Sequence, residues 1–328
     1  MKYKSVQISK RGGPEVLTVV ENELRSPLGK EVLIKIQACG VGGTDVSMRY
    51  FNYPAAPKLP FVPGYEIVGV VQEKGPEVTR FKRGERVAAL SVFGGYSEYI
   101  YLKEEHLVTV PESLDAGEVA SVILNYTSAY KMLRKAAKVQ SGEHVLVTGA
   151  SGGVGTALLD LGKMYNLVLY GTASKNKHEL LNHFEAKLID YKNEDFIEVI
   201  RNLRPDGLDF VFDGIGRDFI IKSFKVLRRG GLLIEYGFSF ESFSVFTKSI
   251  FDLFSGIPQG KKARGYGISV NYKMNRKSVQ EDISAVFSLL ANGKIKPLIY
   301  KRMPILEAAK ANRLLESGEV TGKIVLVN

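Results

Sequence analysis

The sequence predicts an α/β protein made of a β-rich domain and a doubly wound parallel sheet. Three observations predict it. The first 110 or so residues read as short β-rich runs broken by turn signals. From about residue 124, apolar strands alternate with helical stretches, the pattern of a parallel sheet covered on both faces. Between one such strand and the next helix lies a glycine-rich turn, Gly149 to Gly155. The chain has 328 residues, 45% hydrophobic and 24% charged, which suits about two globular domains and excludes a disordered or collagen-like chain.

In chain order, EVLIKIQACGVG (31–42) is β-rich and then glycine-broken. YEIVGVVQEKG (65–75) alternates and ends in a turn, and RVAAL (86–90) is a short buried strand. Such closely spaced strands predict a barrel-like domain. Residues 124–137 are helix-compatible. HVLVT (144–148) is a strand, GTALLDLGKMY (155–165) a helix, LVLYGT (167–172) a strand and NKHELLNHF (176–184) a helix. LDFVFDGIG (208–216) and GGLLIEYG (230–237) are buried strands, with the helix FIIKSFKVL (219–227) between them. The tail reads as two amphipathic helices and a last strand, GKIVLV (322–327), and is expected to return to the first domain. The predicted division is 1–123 with 271–328, and 124–270.

No apolar run approaches the roughly 18 residues of a membrane span. The amino terminus has no apolar stretch of the secretory kind. The single cysteine, Cys39, allows no internal disulfide and no Cys-rich zinc module, so a cytoplasmic location is expected. Forty-five Lys and Arg against 35 Asp and Glu give a net charge of +10, which favours anionic partners. No nucleic-acid-binding module accompanies the charge, and none is expected.

The turn Ala150-x-Gly152-x-x-Gly155 is the dinucleotide fingerprint with alanine in its first place. Gly152, Gly153 and Val154 open a helix whose unpaired N–H groups face a pyrophosphate, and Gly155 lets helix and strand approach. An NAD site places Asp or Glu at the end of the second strand, on the ribose 2′-hydroxyl. Here no acid lies between Leu167 and Lys177. Thr172, Ser174, Lys175 and Lys177 stand there instead and suit a 2′-phosphate, so NADP(H) is the expected cofactor.

These motifs, with ACGVGGTD (38–45), LPFVPGYEIVGVV (59–71), GGYSEY (94–99), NYTSAY (125–130), IDYKNEDF (189–196) and GKIVLV (322–327), run nearly end to end. Together they resemble the zinc-independent quinone oxidoreductase (zeta-crystallin-like) branch of the medium-chain dehydrogenase/reductase superfamily, and within it the vesicle amine transport protein homologues. The resemblance implies a GroES-like catalytic domain, a Rossmann domain and a cleft between them for NADPH. It also implies a homodimer formed by edge strands near GYGISV (265–270). Where the family's zinc enzymes carry cysteine and histidine, this chain has Gly42 and Tyr65, and the remaining histidines lie outside any ligand spacing. No metal is expected.

Without a Lewis acid, quinones and α,β-unsaturated carbonyls are the expected acceptors, because the developing oxyanion needs only hydrogen bonds. By resemblance Tyr53 lines the substrate cleft and donates to that oxygen, and Ser128 contacts the nicotinamide with Asn125 beside it. Tyr191 lies by the 2′-phosphate, while Asp213, Gly237 and Lys323 sit on the cofactor side. Asp45 joins the catalytic candidates, as a support for the fold or a tyrosine rather than as a base. Gly42 replaces an asparagine common in the branch and, with Gly43, enlarges the cleft. A Phe-rich run (238–257), flanked by Lys261, Lys262 and Arg264, reads as a packed helix, a lid or a lipid-facing patch. The alternative function is therefore a cofactor-binding, lipid- or membrane-associated protein with little turnover.

Overall fold

The structure, a computed structural model, describes residues 1–50, 53, 57–237, 247–248, 250–251, 253 and 260–328. It divides into two units, Met1–Thr127 with Ser269–Asn328 and Ser128–Ile268. The boundaries fall at 127/128 and 268/269, where the sequence suggests 123/124 and 270/271.

The first unit is organised by strand β3, and its first seven strands are β1 (Lys2–Ile8), β2 (Leu17–Glu23), β3 (Glu31–Val41), β4 (Ile67–Lys74), β5 (Arg86–Ala89), β6 (Tyr99–Lys103) and β7 (Val108–Thr109). β1 and β2 form an antiparallel pair of their own. β3 pairs β4 along one edge. Its other edge is shared, with β6 beside the first half and β15 (Lys323–Val327) beside the second. Most of β3 is buried, and its pairing on both edges leaves it no free edge. The sheet reads β14–β15–β3–β4–β5–β7, where β14 is Ile299–Pro304 and was not legible in the sequence. The tail thus returns to the first unit by a strand pairing.

Among the described residues the second unit is built on a six-stranded sheet of β8 (His144–Thr148), β9 (Val168–Thr172), β10 (Lys187–Ile189), β11 (Leu208–Asp213), β12 (Leu227–Glu235) and β13 (Lys262–Gly265). All its pairings are parallel, in the order β10–β9–β8–β11–β12–β13. This is the doubly wound order whose chain reversal at β8/β11 opens a crevice at the carboxyl ends of the strands. Helix α1 (Gly43–Tyr50) belongs to the first unit, and α2 (Ala116–Lys131) spans the boundary and runs on into a π-helical turn, Met132–Ala137. In the second unit α3 (Gly153–Met164) joins β8 to β9, α5 (Phe196–Leu203) joins β10 to β11, and α6 (Asp218–Val226) joins β11 to β12. The apolar faces of α5 and α6 meet Leu146, Ile189, Leu208, Val211 and Leu233 in one core.

Two local expectations change. Residues 176–184 hold only one α-helical turn, α4 (His178–Leu181), between two 3₁₀ turns, and Glu185 ends the run in the left-handed region at φ 59°. The edge strand expected at 265–270 ends at Gly265. The Tyr266 amide still donates to Glu235 O at 2.7 Å, but β12 ends there and offers no further ladder partner. Helix α7 (Ile268–Met274) follows. α8 (Arg276–Ala291) and α9 (Ala308–Glu316) are the two tail helices. Most of the Phe-rich run lies outside the described residues. Of its members Leu253 is buried in the core of the second unit, whereas Phe251 is exposed.

Candidate functional site

In the second unit the glycine turn has the form of a phosphate cradle. Gly149 adopts φ 65°, and its amide donates to Thr172 Oγ1 at 3.2 Å. The Ala150 amide donates to Thr172 O at 3.0 Å, which seats a fully buried Ala150 on β9. A Cβ on Gly155 would lie 2.3 Å from Gly149 O, so only glycine lets α3 start this close to the turn. A Cβ on Gly152 would meet nothing nearer than 3.4 Å. Gly152 is the helix N-cap and no side chain caps it, so the first-turn N–H groups at Gly153 and Val154 are left for a ligand. An open face over uncapped amides fits a pyrophosphate.

At the end of β9, Thr172 and Ser174 are buried and Ser174 Oγ donates to Asn176 Oδ1 at 2.8 Å. Lys177 is half-buried. Burial first, and then the charge of Lys192, lowers its pKa. Two lysines close enough to oppose each other's charge mark a place where an anion is favoured. Sequence reasoning passed over Lys192, which stands beside the exposed Tyr191. The nearby acid Asp190 is spent internally, accepting from Asn193 Nδ2 at 2.6 Å and from the Lys192 amide at 3.3 Å. It does not compete for a ribose hydroxyl.

Asp213 and Gly237 were expected to contact the cofactor. The structure instead turns the Asp213 carboxylate inward. It is fully buried, and its Oδ1 accepts from Thr148 Oγ1 and from the amides of Ile215 at 3.0 Å and Gly216 at 3.3 Å. Gly237 lies against the backbone of Gly214, where a Cβ would come within 2.3 Å, and its amide donates to Glu235 Oε1 at 2.8 Å. Both residues hold the loops that follow β11 and β12.

On α2, Asn125 and Ser128 stand three residues apart, on one face, and both are buried.

In the first unit, Tyr53, Tyr65 and Ser269 bring three hydroxyls together. Tyr53 Oη is 3.3 Å from Tyr65 Oη and 3.4 Å from Ser269 Oγ, and Tyr65 and Ser269 are also hydrogen-bonded. The two rings meet edge to face at 6.3 Å. Burial, reinforced by Tyr53, pushes the Tyr65 phenol far up, so it stays a neutral donor. Ser269 is 216 residues from Tyr53 in the chain, and no local motif announces it.

Asp45, a catalytic candidate, is buried and committed to the backbone. Its Oδ2 accepts from the Gly42 amide at 2.9 Å and its Oδ1 from the Gly64 amide at 3.0 Å. Burial, then the charge of Glu66, pushes its pKa up to about 7. It pins the turn before α1 to the Gly64 loop, the supporting role. Lys323, expected on the cofactor, pairs instead with Glu66 at 2.6 Å, and both side chains are buried. Gly40 makes room for the pair, since a Cβ there would fall 1.9 Å from Glu66 Oε1. Among the described residues nothing lies within 4 Å of a Cβ added to Gly43.

Two family models match this chain, the alcohol dehydrogenase GroES-like domain over residues 29–112 and the zinc-binding dehydrogenase over 184–326. A quinone oxidoreductase structure from Pseudomonas syringae is 30% identical, covers 99% of this chain and 100% of its own, and superposes with a TM-score of 0.87. The chain belongs to the medium-chain dehydrogenase/reductase superfamily. The chain is also similar to a mycobacterial protein solved in complex with NADPH (26% identity, TM-score 0.87, 99% of this chain and 100% of its own). The synaptic vesicle membrane protein VAT-1 homolog of Danio rerio is 29% identical over 99% of this chain and 70% of its own length. The chain is thus an oxidoreductase with a GroES-like domain and a Rossmann domain that accepts a nicotinamide dinucleotide.

A zinc ion fits the donor set poorly. Gly42 has no ligand atom, Tyr65 is a neutral phenol within a hydroxyl cluster, and Asp45 and Glu66 are spent on backbone amides and on Lys323. Among the described residues no three or more His, Cys, Asp or Glu side chains group as metal ligands, and no helix is long and apolar enough to cross a membrane.

Proposed function

We propose that this chain is a zinc-independent, NADPH-dependent reductase that delivers hydride to quinones or α,β-unsaturated carbonyl compounds. The observation that carries the reading is the cluster of Tyr53, Tyr65 and Ser269, three converging hydroxyls of which Tyr65 stands where, by resemblance, the zinc enzymes of the superfamily carry a histidine. Bound NADPH supplies the hydride. Tyr53 donates a hydrogen bond to the acceptor oxygen and stabilises the charge that develops on it. Tyr65 and Ser269 orient the Tyr53 hydroxyl, whose proton passes to the oxyanion and is replaced from solvent. Ser128 and Asn125, on one face of α2, orient the nicotinamide amide.

The testing experiment is NADPH oxidation with a panel of quinones, enones and simple ketones, before and after exhaustive chelation. Turnover of the first two classes that survives chelation is expected. Ketone reduction lost on chelation would overturn the metal-free reading. Liposome sedimentation in the same series reads the alternative, a lipid-associated protein without turnover.

Preference for the 2′-phosphate rests on Lys177 and Lys192 and on the absence of a free acid at the end of β9. Replacing Lys177 by alanine removes a charge-assisted bond of about 1.5–3 kcal/mol. The Kd for NADPH is expected to rise at least tenfold and that for NADH to change little. Titration of both cofactors checks this, and an equal loss for the two would remove Lys177 from the phosphate site. We also propose a cytoplasmic location and a homodimer through the exposed edge β13, which light scattering reads directly.

A further inference from the structure

At the carboxyl ends of β11 and β12, two carboxyl groups are buried side by side. Asp213 and Glu235 are register partners on adjacent parallel strands, and both are fully buried. Their side chains are hydrogen-bonded to each other. Among the described residues no other donor reaches Asp213 Oδ2 or Glu235 Oε2. Two carboxylate oxygens only accept, so such a bond requires a proton between them. The remaining oxygens hold backbone. Asp213 Oδ1 takes the amides of Ile215 and Gly216, and Glu235 Oε1 takes that of Gly237.

The two loops are also packed on each other. Gly237 rests on Gly214, and the Tyr236 hydroxyl fills the space where a side chain on Gly214 would stand. Thr148, the last residue of β8, donates to Asp213 and accepts from the Gly214 amide at 3.2 Å. The pair therefore ties together the ends of β8, β11 and β12, next to the glycine turn. This is the crevice where a doubly wound sheet binds its ligand.

We propose that Asp213 and Glu235 share one proton and act as positioning residues, locking the loops at 214–216 and 237 in the geometry that receives the dinucleotide, and that cofactor affinity falls when the pair loses this proton. The inference rests on the NADPH reading above. The physical reason is that two adjacent buried carboxylates cannot both be charged without strong repulsion. Loss of the proton drives the side chains apart, and with them the amides they hold.

Burial, then the charge of Asp213 and the bond to it, raises the Glu235 carboxyl well above the usual range. The groups facing it are Asp213 from β11 and the phenol of the half-buried Tyr236, pushed up by desolvation and then by Asp213 and Glu235. Its register partner on β13 is Gly265, which carries no side chain, and the Tyr266 amide just beyond that strand donates to its main-chain carbonyl. No lysine, arginine or histidine among the described residues is there to stabilise a second negative charge on Glu235.

The test uses the full chain, its Glu235→Gln variant and its Glu235→Ala variant. Glutamine keeps an acceptor for Gly237 and donates permanently to Asp213, so it mimics the singly protonated pair. NADPH affinity is measured from pH 6 to pH 9.5, beside infrared spectra and thermal unfolding of the chain without cofactor. For the native chain the Kd is expected to rise about tenfold per pH unit once the pair titrates. The glutamine variant binds as the native chain does at pH 6, with no alkaline loss, and the alanine variant is weak at every pH. The infrared spectrum of the native chain shows a protonated-carboxyl band at neutral pH that Glu235→Gln removes. An acid raised in the folded chain contributes stability that is lost as pH rises. The melting temperature of the native chain should therefore fall relative to the glutamine variant between pH 6 and pH 9.5.

A flat native profile, a glutamine variant that follows the native profile, or a missing band each overturns the proposal. A chain that binds no NADPH at pH 6 overturns the cofactor reading instead, and the band and the melting difference then decide the shared proton.

Discussion

Replacing Tyr53 by phenylalanine is expected to lower kcat about a hundredfold, within the range for removing a positioned proton donor, while the Kd for NADPH stays within about twofold. The substitution removes one oxygen and keeps the ring, so the edge-to-face contact with Tyr65 is retained. What disappears is the donor to the substrate oxygen and the link from it to Tyr65 and Ser269. The remaining two hydroxyls still bond each other, which keeps the loss short of complete. Ser269→Ala leaves Tyr53 its contact with Tyr65 and is expected to cost less, about tenfold. Steady-state kinetics with a quinone and cofactor titration on the same preparations check both values. Unchanged turnover in the Tyr53 variant would remove the hydroxyl from the mechanism, and a large rise in the NADPH Kd would mean that the residue shapes the cofactor site instead.

Alanine at Gly152 and alanine at Gly155 are expected to fail in different ways, although both belong to one motif. At Gly152 an added Cβ meets nothing nearer than 3.4 Å and the backbone is extended. The fold tolerates it, and melting should move by no more than a degree or two. The methyl group occupies the face where the backbone approaches the pyrophosphate, so the Kd for NADPH should rise about a hundredfold. At Gly155 the Cβ is driven to 2.3 Å from Gly149 O and 2.9 Å from Ala150 Cα, main-chain atoms that have nowhere to go. Overpacking of this kind costs about 1–3 kcal/mol, and α3 is displaced from β8. Thermal unfolding without cofactor therefore separates the two variants before any binding is measured. If Gly152→Ala unfolds earlier than Gly155→Ala, the division of labour within the motif is reversed.

The contrast shows where sequence reasoning was sufficient. The strand HVLVT, the turn and the helix after it are contiguous, and their periodicity and glycine spacing reflect local sterics. The same holds for the missing acid at the end of β9. The cluster Tyr53–Tyr65–Ser269 was legible only in part. Tyr53 and Tyr65 stood in recognisable motifs, but Ser269 reaches them from the far side of the second unit's sequence. Asp213 was placed on the cofactor side by resemblance alone, and the direction of its side chain depends on Thr148 and on β12. Glu235 carried no signal at all, because a buried acid in GGLLIEYG looks like an exposed one until its neighbour in the sheet is known. Lys323 was misplaced for a related reason, since its partner Glu66 lies on a distant segment.

By itself the sequence determined the fold class, the two-part organisation, the phosphate turn and the acid-free strand end. Each follows from residue spacing within one segment, where chain geometry leaves few alternatives. Only the tertiary structure decided which side chains share a proton, which carboxylates are spent on backbone amides and which hydroxyls converge. Those outcomes depend on desolvation and on partners remote in the chain, and both exist only once the sheet has brought the strands side by side.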